Sequence, residues 1–378
     1  MNQPVPLRDF VAYFLRLGTV GFGGPIALIG YMQRDLVEER KWVSPEDYKE
    51  GLALAQLAPG PLAAQLAIYL GWVRGGVAGA TLVGVAFVLP SFLMVMALSA
   101  AYLRFGGIAW MQGAFYGIGA AVIGIIARSA WKLAKGTMGK AKLLWALFAA
   151  SALATAITET EIVWLFFASG VLGAVAARPP TPKQAAMVVP WPLLFTGLHG
   201  PADGSVLWKI GWYFTEAGAF VFGSGLAIVP FLHAGVVNEF GWLTERQFLD
   251  AVAVAMITPG PVVITVAFIG YLAAGPIGGC VAALATFLPC YLFVVGPAPY
   301  FRKYAKNVVI KGFVDGVTAA ASGAIAGAAF VLGRRAIVDV PTALIALAAL
   351  GAMTFLKRAP EPVLIAIAGV AGLLLTQA

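Results

Sequence analysis

Apolar residues run almost unbroken along this chain, and the informative positions are the interruptions. Runs such as Val77–Ala101 and Ile108–Ala127 contain no charged residue. Each is long enough to cross ~30 Å of hydrocarbon as a helix. Between such runs stand four short motifs built from glycine and proline: Phe22-Gly23-Gly24-Pro25, Pro59-Gly60-Pro61, Phe222-Gly223-Ser224-Gly225 and Pro259-Gly260-Pro261. The second pair repeats the first 200 residues further on.

Each half predicts the same succession of elements. A helix over 8–22 (209–222 in the second half) meets the Gly-rich break, and another follows over 26–38 (226–238). Helix, Pro-Gly-Pro and helix come next (46–58 and 61–73; 246–258 and 261–273), then two long spans (76–103 and 107–131; 276–298 and 312–333). Two short apolar segments close each half (143–157 and 161–177; 342–356 and 362–376). Individual residues hold the register. Phe14, Gly18, Ala27 and Trp42 match Phe214, Gly218, Ala227 and Trp242, and after one deletion the spacing is 199, through Leu89-Pro90/Leu288-Pro289, Gly113/Gly312 and Gly117/Gly316. A register kept over that distance marks an internal duplication. The expected organisation is a first membrane repeat over 1–178, a proline-rich linker over 179–208 and a second repeat over 209–378.

Composition fits this picture. The chain is 61% hydrophobic and 11% charged, with a mean hydropathy of +0.89. A soluble protein carries roughly 25% charged residues. The fold class is therefore an all-α polytopic membrane protein, with broken or re-entrant helices at the Gly-Gly-Pro and Pro-Gly-Pro motifs. Arg8, Asp9 and Arg16 interrupt the start, which lacks the pattern of a cleavable signal peptide. The net charge of +8 is read as cytoplasmic loop charge, not as a nucleic-acid footprint, because Lys132, Lys135, Lys140 and Lys142 cluster between apolar segments. Placing that cluster inside, a parallel second half would expose Arg302, Lys303, Lys306, Lys311, Lys357 and Arg358 outside, whereas an inverted half exposes only Arg334 and Arg335. The bias favours inversion, although the helices' parity is left open. Two cysteines (Cys280, Cys290) and two isolated histidines (His199, His233) build no metal, cofactor or nucleophilic site. No Gly-rich nucleotide-binding loop is present, so energy for any transport would come from ion gradients or voltage.

Helix breakers at corresponding places in two halves of a membrane protein point to a solute site. Pro25 and Pro61 each follow a glycine and open a new helix, where a missing N–H costs nothing. The neighbouring free amides and about half a positive charge from the aligned peptides suit an anion. The candidate binding set is Arg16, Gly23, Gly24, Pro25, Gln56, Pro59, Gly60, Pro61, Gly223, Ser224, Gly225, Thr258, Pro259, Gly260 and Pro261. Gln65 and Thr265 flank the same turns. Arg16 and Glu216 share one repeat position with opposite charge. Arg16 reads equally as a counter-charge for substrate or as a snorkelling side chain. Glu216 reads more readily as an interhelical residue, with carriage of a coupling proton as its functional reading. Ordinary kinks are the bland explanation for any single break, but four at paired positions favour a site. Gly113/Gly117 and Gly312/Gly316 have the spacing of close helix packing, within a chain or in a homodimer.

The motifs resemble one family. Phe14-Leu-Arg-Leu-Gly18 through Pro25, Trp42 and Gln56-Leu-Ala-Pro-Gly-Pro61 are similar to the first domain of the chromate ion transporter family. Phe222-Gly-Ser-Gly-Leu-Ala-Ile-Val-Pro230, Gly241-Trp-Leu-Thr244, Met256-Ile-Thr-Pro-Gly-Pro261, Phe287-Leu-Pro289 and Asp315-Gly-Val-Thr318 resemble its second. The resemblance implies a two-domain, multi-pass exporter of chromate in the bacterial inner membrane, with oppositely oriented halves and sulfate-like oxyanions as competitors. Two positions depart from the family pattern: Ala27-Leu28-Ile29 replaces a common polar residue, and Gly223-Ser224-Gly225 replaces three glycines. The expected function is chromate export by alternating access. The alternative is an exchanger or importer of sulfate or another tetrahedral oxyanion. A membrane-embedded enzyme would need an Asp, His or Glu cluster near one interface, and the sequence offers none.

Overall fold

The computed structural model describes residues 5–22, 24–105, 109–158, 163–177, 206–220, 228–300, 307–355 and 361–377. Every regular element among them is helical. The first half contains α1 (Leu7–Val20), α2 (Gly24–Met32), a π-helical turn (Gln33–Glu39), α3 (Pro45–Leu57) and α4 (Leu62–Phe105). It continues with α5 (Ala109–Met138), α6 (Lys142–Thr158) and α7 (Val163–Ala177). The second half contains α8 (Val206–Phe220), α9 (Ile228–His233), a π-helical turn (Ala234–Glu239) and α10 (Glu245–Ile257). A 3₁₀ turn (Val262–Ile264), α11 (Thr265–Val295), α12 (Val308–Ala336), α13 (Val340–Phe355) and α14 (Glu361–Gln377) follow. Among the described residues, three apolar helices are long enough to cross a membrane, Leu62–Arg104, Val262–Val295 and Lys311–Arg334, and five shorter apolar helices accompany them.

Two features, each present in both halves, differ from the sequence expectation. The helices predicted over 61–73 and 76–103 form one bent rod, α4, whose backbone leaves helical geometry at Gly75 and Gly76; α11 bends likewise at Ala274 and Gly275. The helices predicted over 26–38 and 226–238 finish as π turns. There the amides of Arg40 and Phe240 donate to carbonyls five residues back, Asp35 (3.0 Å) and Gly235 (2.8 Å). The wider turn returns the chain so that the Trp42 and Trp242 amides reach Leu36 and Val236 at 2.8 and 2.9 Å. Both indoles thereby enter aromatic clusters. Arg40 lies 4.6 Å over the Trp42 ring, and Phe240 stacks on Trp242 at 4.5 Å. Side-chain caps then start the next helices: Ser44 Oγ accepts the Asp47 amide, and Thr244 forms a reciprocal box with Gln247.

The halves exchange packing partners. α12 packs on α6 and α7 of the first half, and α5 packs on α13 and α14 of the second. The contact residues recur in register. Gly312 abuts Gly173 and Ala177, while Gly113 abuts Leu373 and Thr376; Gly316 meets Ser169 and Gly170, while Gly117 meets Ala368 and Gly372. Small residues let these backbones touch, which is how helices associate where lipid removes the hydrophobic drive. The predicted packing role of the Gly-xxx-Gly stripes is thus met inside one chain.

Corresponding helices run in opposite directions. Tyr116, near the start of α5, donates its hydroxyl to Asp339 beyond the end of α12, and Ile123 approaches Gly333. Ala134 and Met138, at the end of α5, share a cluster with Ala319 in the middle of α12. α4 and α11 cross the same way: the Thr81 and Tyr291 hydroxyls are 2.7 Å apart, and Met96 lies against Gly279. Both pairs are antiparallel.

Candidate functional site

α3 ends where Ala58 turns to extended backbone, and α10 ends likewise at Thr258. A Pro-Gly-Pro turn follows each. Gly60 and Gly260 adopt φ of +139° and +98°, a region that side chains disfavour. Each turn then sits against the bent helix of the opposite half. The Gly260 amide donates to the Gly21 carbonyl at the end of α1 (3.0 Å). Gly260 also abuts Ser91 of α4, while a methyl group on Gly60 would lie 3.0 Å from Cys290 Sγ of α11. Ser91 and Cys290 correspond at the 199-residue spacing, each directly after a mid-helix proline, Pro90 and Pro289. Their contacts correspond too: Ser91 Oγ points to the Gly18 carbonyl and Cys290 Sγ to the Gly218 carbonyl, both at 3.5 Å.

Gln65, on the first turn of α4, is fully buried. Its Nε2 donates to the Pro59 carbonyl (2.5 Å), which tightens the first Pro-Gly-Pro turn, and its Oε1 is buried without a partner. An orphaned acceptor costs about 1–3 kcal/mol, so it marks a place where something else can donate. In the second half, Thr258 and Thr265 are buried and satisfied by the Val254 and Val262 carbonyls (2.7 Å each).

The other predicted residues fall as follows. Pro59 and Pro25 are half-buried, Pro25 in the first turn of α2; Pro61, Pro259 and Pro261 are buried in the turns, and Gly24 opens α2. Gly23, Gly223, Ser224 and Gly225 lie outside the described residues. Arg16 and Gln56 are on exposed faces and pair with no side chain among the described residues. Glu216 is half-buried on α8, within electrostatic reach of Glu239. The structure therefore sets the second Pro-Gly-Pro turn against Gly21 and Ser91 and the first against Gln65 and Cys290, and leaves Arg16 and Gln56 at the periphery.

Sequence reasoning missed three residues. Ser91 and Cys290 were signalled by their position after matched prolines. Asp250, 4% exposed in α10, receives the Tyr102 hydroxyl of α4 at 2.7 Å. Its signal was isolation: no other ionisable side chain occurs between Gln247 and Tyr271.

The two turns belong to segments that one family model, described as chromate transporter, matches twice, at residues 8–174 and 208–373. The chain belongs to that family. Each matched segment starts in the first helix of a half and includes one Pro-Gly-Pro turn. Among relatives, the chromate transport protein of Cupriavidus metallidurans is 62% identical over 97% of this chain and 92% of its own length. The probable chromate transport protein of Synechococcus elongatus is 58% identical over 97% of this chain and 95% of its length. The chromate transport protein of Pseudomonas aeruginosa is 31% identical over 90% and 84%. No solved structure matches the chain significantly. As a chromate transporter family member with many apolar helices, the chain is a multi-pass membrane transport protein.

Proposed function

We propose that this transporter exports chromate across the bacterial inner membrane by alternating access between two inverted halves, residues 1–178 and 209–378 joined by 179–208. The observation that carries the reading is the Gly260–Gly21 hydrogen bond, which ties the second Pro-Gly-Pro turn to the end of α1. One such turn per half, held against the opposite half, gives a central place whose exposure changes when the halves rock. The names of the relatives supply chromate as cargo. The antiparallel courses of α5/α12 and α4/α11 support inversion, because a two-fold axis in the membrane plane relates oppositely directed equivalents. The small-residue stripes are consumed inside the chain, which supports a single chain as the transporting unit.

In this reading the Gly60 amide and the amides that open the helical segments after the two turns, at Leu62 and Ala63 and at Val262 and Val263, hold the oxyanion, the Gly260 amide being taken by Gly21. Gln65 fixes the first turn, and Arg16 draws the dianion in from its exposed position. Glu216 is the second-half counterpart that carries a coupling charge. With an inside-negative potential, each negative charge moved outward gains ~2.3 kcal/mol per 100 mV, so expelling a dianion needs little additional coupling. Flux of labelled chromate in everted vesicles tests the reading. Wild type accumulates chromate, excess sulfate suppresses it weakly, and Arg16→Ala and Gly60→Leu both reduce it. Undiminished flux in both variants removes the site. Equal suppression by sulfate favours a general oxyanion exchanger.

A further inference from the structure

Asp250 is the buried acid that this transport scheme leaves unused. It sits in α10 at 4% exposure, and its Oδ2 accepts the Tyr102 hydroxyl from the far end of α4 at 2.7 Å. Tyr102 stands two residues before Arg104, where the long apolar span Leu62–Arg104 ends. The acid is thus near one membrane face. Eight residues further along the chain α10 delivers Thr258, a path of ~12 Å along a helix axis. One rigid element consequently links Asp250 to the second Pro-Gly-Pro turn. Its tie to α4 reaches the helix that begins at the first turn.

Among the described residues, the groups around Asp250 leave its charge without a direct cationic partner. Arg246 lies one turn earlier on α10 and within electrostatic reach, but its guanidinium donates to the Gln112 carbonyl of α5 (3.2 Å). Glu245, at the start of α10, binds His233 of α9 at 2.8 Å. α5 contributes Tyr116, which is bonded to Asp339. α11 contributes Phe268 against the Tyr102 ring (5.4 Å), and its own ionisable groups are Tyr271, Cys280, Cys290 and Tyr291. The π turn before α10 ends in the exposed Glu239, and α14 carries no charge over residues 362–376. A carboxylate in such surroundings loses hydration that one phenol and a distant guanidinium restore only in part.

We infer that Asp250 and Tyr102 form a proton-binding site that couples the proton gradient to chromate movement. The step is simple acid–base binding: a proton adds to the Asp250 carboxylate from one membrane face, and after the halves rock the neutral acid releases it to the other face, regenerating the carboxylate. Protonation removes the buried charge and weakens the hold on the Tyr102 hydroxyl, which frees α10 to shift against α4 and carry its turn with it. This inference rests on the chromate-transport reading and goes beyond it by placing a second proton-carrying acid, Asp250 with its Tyr102 donor, beside the coupling charge assigned to Glu216.

The test uses the full-length protein in proteoliposomes, with two measurements: chromate/chromate exchange without a gradient, and chromate accumulation driven by an imposed pH gradient. Asp250→Asn keeps the shape and an acceptor for Tyr102 but cannot exchange a proton. The expected result is retained exchange and a roughly tenfold or greater loss of gradient-driven accumulation. Tyr102→Phe, which keeps the acid, should move the pH of half-maximal flux upward, because the carboxylate loses a donor that favours its charged form. Gradient-driven accumulation equal in wild type and Asp250→Asn overturns the proton site while the transport reading stands. Parallel loss of exchange and accumulation in Asp250→Asn, with no pH displacement in Tyr102→Phe, reduces the pair to a structural brace and also overturns it. A wild-type protein that exchanges no chromate overturns the transport reading and this inference with it.

Discussion

The Gly260 amide and the Gly21 carbonyl are joined at 3.0 Å across the two halves of the chain. That bond holds only if the turn keeps its glycine. At φ +98° a side chain is strained, and a methyl group would overlap Ser91 Oγ. Gly260→Ala should destabilise the protein by about 1–3 kcal/mol and abolish chromate flux. Thermal unfolding in detergent and vesicle flux check this. Ser91→Gly in the same chain should recover part of the loss, since it removes the overlap but not the strain. No recovery would mean that Ser91 is not what confines the turn.

Gln65 separates binding from stability. Gln65→Leu removes the bond to the Pro59 carbonyl, worth about 0.5–1.5 kcal/mol, together with a buried orphan acceptor that costs about 1–3 kcal/mol. The two terms nearly cancel, so the melting temperature without chromate should stay close to wild type. The rise in melting temperature that chromate produces should shrink, because the first turn is no longer fixed. A variant that melts normally and responds fully to chromate would exclude Gln65 from the site.

Helix exchange between halves makes paired predictions. Gly117→Ala overlaps the Ala368 carbonyl, and Gly316→Ala, at the corresponding position, overlaps that of Ser169. Each should cost about 1–3 kcal/mol, and the two costs should be similar because the contacts correspond. Gly119→Ala, with nothing within 4 Å, is the control and should be neutral or slightly stabilising. Strong destabilisation by one partner of the pair alone would argue against corresponding packing.

Much of this architecture was legible because breakers and small residues are punctuation. The kink at Gly75–Gly76 was visible as a gap between two predicted helices, and the Gly113/Gly312 register foretold matched packing. What the pattern could not carry was partnership. Nothing along the chain says that α12 leaves its own half to lie on α6 and α7, since apolar faces are alike in lipid. The π turns were invisible because a bond five residues back leaves no apolar periodicity of its own. Ser91, Cys290 and Asp250 escaped for a related reason: their meaning comes from what lies across the fold, namely the Gly18 carbonyl, the Gly218 carbonyl and the Tyr102 hydroxyl.

Asp339 caps the start of α13 and receives hydrogen bonds from Tyr116 and Thr342, which hold its carboxyl below the usual carboxylate range. A depressed acid stabilises the fold above its unfolded value and loses that contribution as pH falls through the folded value. The contribution should therefore persist through neutrality and fade only below about pH 4. Tyr116→Phe removes the donor that lowers this acid most and should move the onset of acid destabilisation to higher pH, as followed by unfolding against pH. An unchanged acid limb would show that this contact contributes nothing.

The antiparallel course of α5 and α12 fixes where their ends emerge. Lys140 follows α5 and Val338 follows α12; both are exposed, while Tyr116, at the opposite end of α5, lies beside Asp339. If the two helices cross the bilayer, their C-terminal ends must appear on opposite faces, and the lysines around Lys140 place that end in the cytoplasm. In a Cys280→Ala background, with Cys290 buried, Val338→Cys should react with a membrane-impermeant maleimide in intact cells. Lys140→Cys should react only after permeabilisation. Labelling of both from the same side would rule out inverted halves, and with them the exchange of access between two opposed Pro-Gly-Pro turns.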